Sequence, residues 1–326
     1  MQEFTKTHKL EHTATKTKAN LNISSQNSPM TFHNTIHGEV FGSVQTMGTS
    51  MPEMTFQSPS AILSKQHSDV QEKQPLDLTL FLIRHGEASH NVLEKKAKQE
   101  ALQQALAEGL KADDELTKER MELARKRVLC DDNLFDAPLS DMGKEEARRS
   151  RAALASIANA ENLTFPEEIL VSPLTRTLET ANLIFPDHDD VHVREELRER
   201  CTGKPPDSRS STKQLRSRMS FCRFSMNRLE ELTALQQVQQ EWEIKKEEEN
   251  KAMLRERTRQ LFRLLAECPP NRKSIAVVTH KAYLRELERG PFGDPDSPEF
   301  KNGEIRVYKI RLHPETESIE LADRIV

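Results

Sequence analysis

Two histidines and two arginines stand where runs of strand character end. Leu78-Thr79-Leu80-Phe81-Leu82-Ile83 leads straight into Arg84-His85-Gly86-Glu87. A second apolar run, Ser274-Ile275-Ala276-Val277-Val278, ends on Thr279-His280. Between them, Glu168-Ile169-Leu170-Val171-Ser172 is followed by Pro173-Leu174-Thr175-Arg176. An arginine fork matches the geometry of a phosphate, and a neutral imidazole can attack phosphorus near pH 7. Arg84 and His85 delivered together to a strand tip therefore point to phosphoryl chemistry. The competing reading is a histidine that ends a strand and hydrogen-bonds a neighbouring loop, which a short motif by itself leaves open.

Runs this short and this apolar suit parallel strands covered on both faces. In open α/β sheets, ligands sit just beyond the carboxyl ends of such strands. Gly86 lets the backbone turn sharply there. Ser140 is a good N-cap for a helix that carries Glu145-Glu146-Ala147, Leu154, Ile157 and Ala158. Ser172-Pro173 starts another helix, with Pro173 suited to its first turn and Arg176 near its positive end. A short strand is expected around Val191-His192-Val193, and a helix from Lys281. Residues 92–130 read as two helical pieces punctuated by Gly109 and Asp113-Asp114, with Leu93, Ala97, Ala101 and Ala105 recurring every fourth position. They read first as a solvated helical hairpin packed on the domain rather than a partner-binding coiled coil, and they follow the His85 turn closely enough to act as a lid. Residues 212–266 read as overwhelmingly helical, with a stripe of Leu215, Met219, Cys222, Met226, Leu229, Leu232, Leu235, Val238 and Trp242. The run Lys245 to Glu249 is expected to be a solvated face. Pro269-Pro270 ends the helical region.

Residues 1–75 are rich in Ser, Thr, Asn, Gln, His and Met and lack arginine. They cannot bury enough apolar surface to offset ordering entropy, so a disordered segment is expected before a domain spanning 76–326. His33 and His37 have no third ligand nearby. Basic and acidic residues number 48 and 52, so nothing global points to nucleic acid or to an anionic membrane. Cys130, Cys201, Cys222 and Cys268 form no CxxC pair, as expected of reduced thiols in the cytoplasm. No apolar run approaches the roughly 20 residues of a membrane helix, and the first thirty residues carry no apolar core of a secretory signal.

Arg84-His85-Gly86-Glu87 with His90-Asn91 resembles the signature of the histidine phosphatase superfamily, the phosphoglycerate-mutase-like fold. Further elements follow in the same order. Asp136-Ala137-Pro138-Leu139-Ser140-Asp141-Met142-Gly143 is similar to "DxxLTxxG", and Ser172-Pro173-Leu174-Thr175-Arg176 through Thr180-Ala181 to "SPLxRxxxTA". Leu197-Arg198-Glu199 through Gly203 is similar to "LxExxxG", and Val277-Val278-Thr279-His280 to "VVTHxxxL". Pro206-Asp207-Ser208-Arg209 and Asn302-Gly303-Glu304-Ile305-Arg306 resemble the "PCDxR" and "NxExR" elements of a plant, fungal and protist branch, with Pro206 where a cysteine is usual. The second is a turn expected to precede an edge strand at 304–312.

The resemblance implies an α/β fold: a three-layer sandwich with a mostly parallel central sheet, helices on both faces and helical insertions at about 92–130 and 211–250. It implies that His85 is the nucleophile, that Arg84, Asn91, Arg176 and His280 bind the phosphoryl group, and that Glu199 is the general acid. Asp207 is a second candidate for that acid. No metal and no cofactor are expected. The implied activity is hydrolysis of a small phosphorylated metabolite through a phosphohistidine. Two alternatives stand beside it: a mutase, for which the segment after Glu199 lacks the "RHYGxLxG" form, and a binding protein that presents the helical insertions to a protein partner.

Overall fold

A computed structural model describes residues 74–220, 223–239 and 249–326. Apart from Gln74 and Pro75, the segment expected to be disordered lies outside these residues, as do Cys222, Trp242 and Lys245 to Glu248. The strands are β1 (Leu76–Arg84), β2 (Glu168–Val171), β3 (Val191–Val193), β4 (Ser274–Thr279), β5 (Ile305–His313) and β6 (Ser318–Arg324). The helices are α1 (Ser89–Ala107), α2 (Glu115–Leu129), α3 (Asp141–Ala160), α4 (Thr175–Ile184), α5 (Thr212–Arg218), α6 (Asn227–Gln239), α7 (Lys251–Thr258), α8 (Gln260–Glu267) and α9 (Lys281–Arg289).

The sheet has the order β3-β2-β4-β1-β5-β6. β3, β2, β4 and β1 pair in parallel, whereas β5 is antiparallel to both β1 and β6. The fold is thus α/β with a mostly parallel sheet, and β5 is an interior strand rather than the expected edge. The edge belongs to β6, whose sequence, Ser-Ile-Glu-Leu-Ala-Asp-Arg, alternates weakly and carries no motif.

β1 shows how the layers arise. Side chains alternate across a strand. Leu78, Leu80 and Leu82 enter one apolar cluster with Leu261, Leu265 and Leu284 of α8 and α9. Phe81 and Ile83 enter the other with Leu154 of α3 and Leu178 and Ile184 of α4. Leu80 to Ile83 are completely buried. Each such side chain contributes about 1.5–3 kcal/mol. A strand apolar on both faces is stable only where helices cover both.

The 212–266 stretch is not one helical region. Between Met219 and Met226, both buried, the backbone of Ser225 bonds to Val191 and Val193 and extends the sheet beyond β3. The alternation of apolar residues there serves two helices and a short extended piece. Glu249 also departs from expectation. Its carboxylate holds the Arg257 guanidinium through Nε (2.9 Å) and Nη2 (2.7 Å) and is largely buried.

Two glycines fix the loop after β1. A Cβ on Gly86 would stand 2.3 Å from the carbonyl oxygen of Gly143, and one on Gly143 would stand 2.0 Å from that of Glu87. Ser140 caps α3 through Oγ to Gly143 N (3.0 Å), and its own N–H donates to the Glu87 carbonyl (2.9 Å). The turn after β1 therefore lies directly against the first turn of α3.

This contact predicts the sign of a substitution. Replacing a helical glycine by alanine in an open helix gains about 1 kcal/mol, whereas overpacking costs about 1–3 kcal/mol and more against backbone. Gly143→Ala is expected to lower the thermal midpoint by about 2–8 °C. A midpoint unchanged or raised in calorimetry would show that the turn yields without cost.

Candidate active site

Three adjacent parallel strands end at one place. Arg84 pairs with Thr279 in the β1–β4 register, so His85 and His280 are the next residue on each strand. His85 N–H donates to the Thr279 carbonyl (3.0 Å), and Ser172, just past β2, donates its N–H to Val278 (3.1 Å). The two imidazoles meet edge to face with ring centroids 5.0 Å apart. Both are buried.

His85 Nδ1 lies 2.6 Å from its neighbour's carbonyl, Gly86 O. A carbonyl only accepts, so Nδ1 carries the proton and Nε2 keeps its lone pair. His280 Nε2 lies 2.7 Å from Ser172 Oγ, while its Nδ1 is buried without a hydrogen-bond partner among the described residues. Burial, with Arg176 and Arg84 nearby, pushes the His85 pKa well below the ordinary imidazole range. Burial and Arg176 do the same to His280. Both rings are neutral at pH 7, so His280 can donate to an anion through one N–H but brings no charge.

The charge comes from arginines. Arg176, 1% exposed, donates from Nη1 to Pro206 O (2.7 Å) and from Nη2 to Asp207 Oδ1 (3.0 Å). Its Nε has no hydrogen-bond partner among the described residues. Arg84 donates from Nη1 to Phe300 O (2.7 Å), and its Nε too is buried without a partner. Burying an arginine is costly unless its donors are used. Arg84 Nε, Arg176 Nε and His280 Nδ1 are unspent hydrogen-bonding capacity around the His85 ring, suited to an oxyanion.

Two supports set these arginines in place. Asp136, buried and with φ of 48°, accepts from Thr175 N (2.8 Å), Thr175 Oγ1 (2.8 Å) and Ser210 N (3.1 Å). It caps α4 from outside the helix, which explains why Pro173 falls before the helix rather than in its first turn. On the other side, Glu288 binds Arg306 Nη1 through both carboxylate oxygens (2.9 and 2.7 Å), and Arg306 stacks 3.8 Å over the Phe300 ring. That buried cluster holds residue 300, whose carbonyl receives Arg84.

Glu199 accepts from Arg200 N (2.8 Å) and, at the start of α9, from Ala282 N. Burial, and then the Asp207 carboxylate, raise its pKa above the ordinary carboxylate range, against the opposing pull of Arg176. Asp207 is held by Arg176 and by Thr202 Oγ1 (2.6 Å), so its oxygens serve to hold the guanidinium and the loop. Asn91 spends its carboxamide oxygen on Ala88 N (3.2 Å) at the start of α1, and lines a cavity with Arg84. Among the described residues, no group of three His, Cys, Asp or Glu side chains is arranged to hold a metal.

The structure thus brings Arg84, His85, Arg176, Glu199 and His280 together and sets Asn91 one step outward. It adds residues that sequence reasoning left without a role in the site. Ser172 sets the ring orientation of His280. Thr180 Oγ1 accepts the Gly86 N–H (3.2 Å). Buried His90, its pKa lowered to about 3 by burial and then Arg176, stands beside Glu94. Asp136, Ser172 and Thr180 all lie inside the motifs, which was the available signal.

The sequence profile of the histidine phosphatase superfamily, branch 1, matches residues 132–322. It starts beyond the α1–α2 hairpin, so Arg84 and His85 precede it. No curated protein matches the chain. Similar solved structures include a mycobacterial glucosyl-3-phosphoglycerate phosphatase bound to VO3, 17% identical, with a TM-score of 0.44 over 76% of this chain and 98% of that one. A phosphoserine phosphatase from Entamoeba histolytica is 17% identical, with a TM-score of 0.41 over 76% and 95%. A protein described as mycobacterial hydrolase 1 is 18% identical, with a TM-score of 0.43 over 77% and 97%. With the profile spanning more than half its length, the chain belongs to the histidine phosphatase superfamily, branch 1.

Proposed function

We propose that this protein hydrolyses small phosphomonoesters through a phosphohistidine on His85. The observation that carries the reading is the tautomer lock: Nδ1 is tied to Gly86 O, so the free lone pair is on Nε2, beside Arg84, Arg176 and His280. In the first step Nε2 attacks phosphorus and the ester P–O bond breaks. The Glu199 carboxyl gives its proton to the leaving oxygen. In the second, the Glu199 carboxylate takes a proton from water, the water oxygen attacks phosphorus, and the P–N bond breaks to release phosphate. Arg84, Arg176 and the His280 N–H stabilise the equatorial oxygens. The raised pKa of Glu199 supports its role as the acid, because that carboxyl keeps its proton to a higher pH. Asp207 is assigned as the residue that positions Arg176. The loop after Glu199 does not have the mutase form, which supports water as the acceptor. The narrower likeness to a plant, fungal and protist branch rests on Asp207-Ser208-Arg209 and the turn at 302–306 alone, both inside a profile match that does not separate that branch.

His85→Ala is expected to reduce hydrolysis of an aryl phosphate to background while the far-ultraviolet spectrum and thermal transition remain those of a folded protein. Turnover retained by the folded variant would falsify the covalent route.

The acid is tested with leaving groups. Glu199→Gln should cost an alkyl phosphate roughly 10²–10⁴-fold in rate while slowing His85 phosphorylation by an aryl phosphate much less. The alkyl rate should fall along an alkaline limb, since the acid must be protonated, and that limb should lie above the ordinary carboxylate range. Asp207→Asn should weaken both esters together, through the grip on Arg176. Burst kinetics on both variants decide the matter. A selective alkyl loss in Asp207→Asn with none in Glu199→Gln would reverse the assignment.

A further inference from the structure

The segment that delivers Glu199 makes little use of regular secondary structure. After β3 the chain takes a single 3₁₀ turn, Glu195–Leu197, and residues 198–202 lie in no helix or strand. Backbone carbonyls away from water need donors, and a segment without a ladder must find them among side chains. Here four carbonyls in succession are taken by two side chains. Arg257 Nη1 donates to Glu196 O (2.8 Å) and to Arg198 O (2.9 Å), and its Nη2 donates to Glu199 O (3.1 Å). Thr279 Oγ1, at the tip of β4, donates to Leu197 O (2.6 Å).

The principal donor is itself fixed from several sides. Arg257 Nε and Nη2 hold the Glu249 carboxylate, so every N–H of the guanidinium is engaged. That carboxylate accepts in turn from Cys201 N (3.1 Å), and Glu249 N donates to Cys201 O (2.7 Å). Both flanks of Glu199 are therefore tied to the stretch 249–257. Tyr283 of α9 supports the clamp, its ring centroid 5.6 Å from the guanidinium carbon. The same helix supplies the Ala282 N–H that the Glu199 carboxylate accepts. Arg84 and Arg176 each keep an Nε without a partner among the described residues, as suits a ligand, whereas Arg257 keeps none. Its partners are the chain itself, and specifically the peptides on either side of the acid.

We infer that Arg257, anchored by Glu249, is the positioning residue of the general acid, given Glu199 as the acid of the proposed hydrolysis. The planar fork sets the peptide between Arg198 and Glu199, and with it the direction in which the Glu199 side chain leaves the backbone. A general acid works only within hydrogen-bond reach of the departing oxygen, so a small shift of this backbone removes the proton transfer. The His85 tip, held by Gly86, Gly143 and Thr180, does not depend on the clamp. Loss of Arg257 should therefore disable leaving-group protonation and spare nucleophilic attack.

The test compares, within each variant of the full-length protein, kcat/KM for an alkyl phosphate with the rate of His85 phosphorylation by an aryl phosphate. Arg257→Lys keeps the charge but has no planar fork, so it cannot hold three carbonyls and a carboxylate together. It should lower the alkyl-to-aryl ratio roughly 10–100-fold, the cost of a misplaced acid, and change the aryl rate little. Added to Glu199→Gln it should lower the ratio hardly further, because no acid is left to position. Arg259→Ala, an exposed residue paired only with Glu256, should leave the ratio unchanged. Each ratio is taken within one variant, so loss of folded protein cancels. If Arg257→Lys does not fold, Glu249→Gln carries the same comparisons, since a carboxamide has one acceptor oxygen where the carboxylate has two. An equal fall in both rates overturns the inference, and so do losses that multiply in the double variant. A ratio lowered by Glu199→Gln but untouched by Arg257→Lys overturns it alone and leaves the acid assignment standing. A ratio untouched by Glu199→Gln removes that assignment and this inference together, while the role of His85 is decided separately by its own variant.

Discussion

The close approach of Gly86 to Gly143 is the constraint on which the site depends. The backbone leaving β1 must pass within contact distance of the first turn of α3, and neither residue has room for a Cβ. That approach lets Ser140 and Glu87 bond backbone to backbone and lets Glu87 N donate to Glu146 Oε2 (2.7 Å). From the other side, Thr180 of α4 accepts the Gly86 N–H. The turn is gripped by two helices, so the Gly86 carbonyl faces the His85 ring and selects its tautomer. The free lone pair on Nε2 follows from a packing contact between two glycines.

The same economy governs the arginines. A guanidinium in the interior forfeits several kcal/mol of hydration, and a carboxylate beside it repays this only with good geometry. Arg176 is repaid in part by Pro206 and Asp207, and Arg84 by Phe300. Each retains an Nε without a partner among the described residues. Their partial satisfaction holds the side chains still while leaving donors for an oxyanion. The Glu288–Arg306–Tyr308 cluster extends the scheme outward, with Tyr308 OH 2.5 Å from Glu288 Oε1. Buried ion pairs of this kind add little net stability, and this one ties Phe300 and Glu304 of the 300–304 turn to Arg306. Gly303 N donates to His85 O (3.3 Å), and Arg84 N donates to Glu304 O (3.1 Å), so the order of that turn is passed directly to the strand tip.

The charge states are divided accordingly. Burial among arginines keeps His85 and His280 neutral, one as lone-pair bearer and the other as donor. The same burial, aided by Asp207, favours the protonated form of Glu199. Low dielectric thus acts in opposite directions on imidazole and carboxyl, favouring the uncharged form of each.

The sequence by itself determined the strands that carry the chemistry and the residues at their tips. Apolar runs at 80–83, 169–171 and 275–278 have one stable home, a parallel strand covered on both faces, and the chain just past such a strand falls at the carboxyl edge. Ser140 as a cap and α9 from Lys281 were legible for the same local reason. Tertiary structure alone decided the rest. The periodicity at 215–229 could not reveal that Ser225 leaves the helical path to join β3, because methionines bury equally well from either conformation. β6 was illegible because an edge strand has only one partner and needs little apolar alternation. The pairing of Asp207 with Arg176 could not be read from residue type. Only the folded chain brings the two side chains together, across about thirty residues of sequence. Local patterns encode which elements form, whereas pairwise distances between remote side chains exist only once those elements have packed.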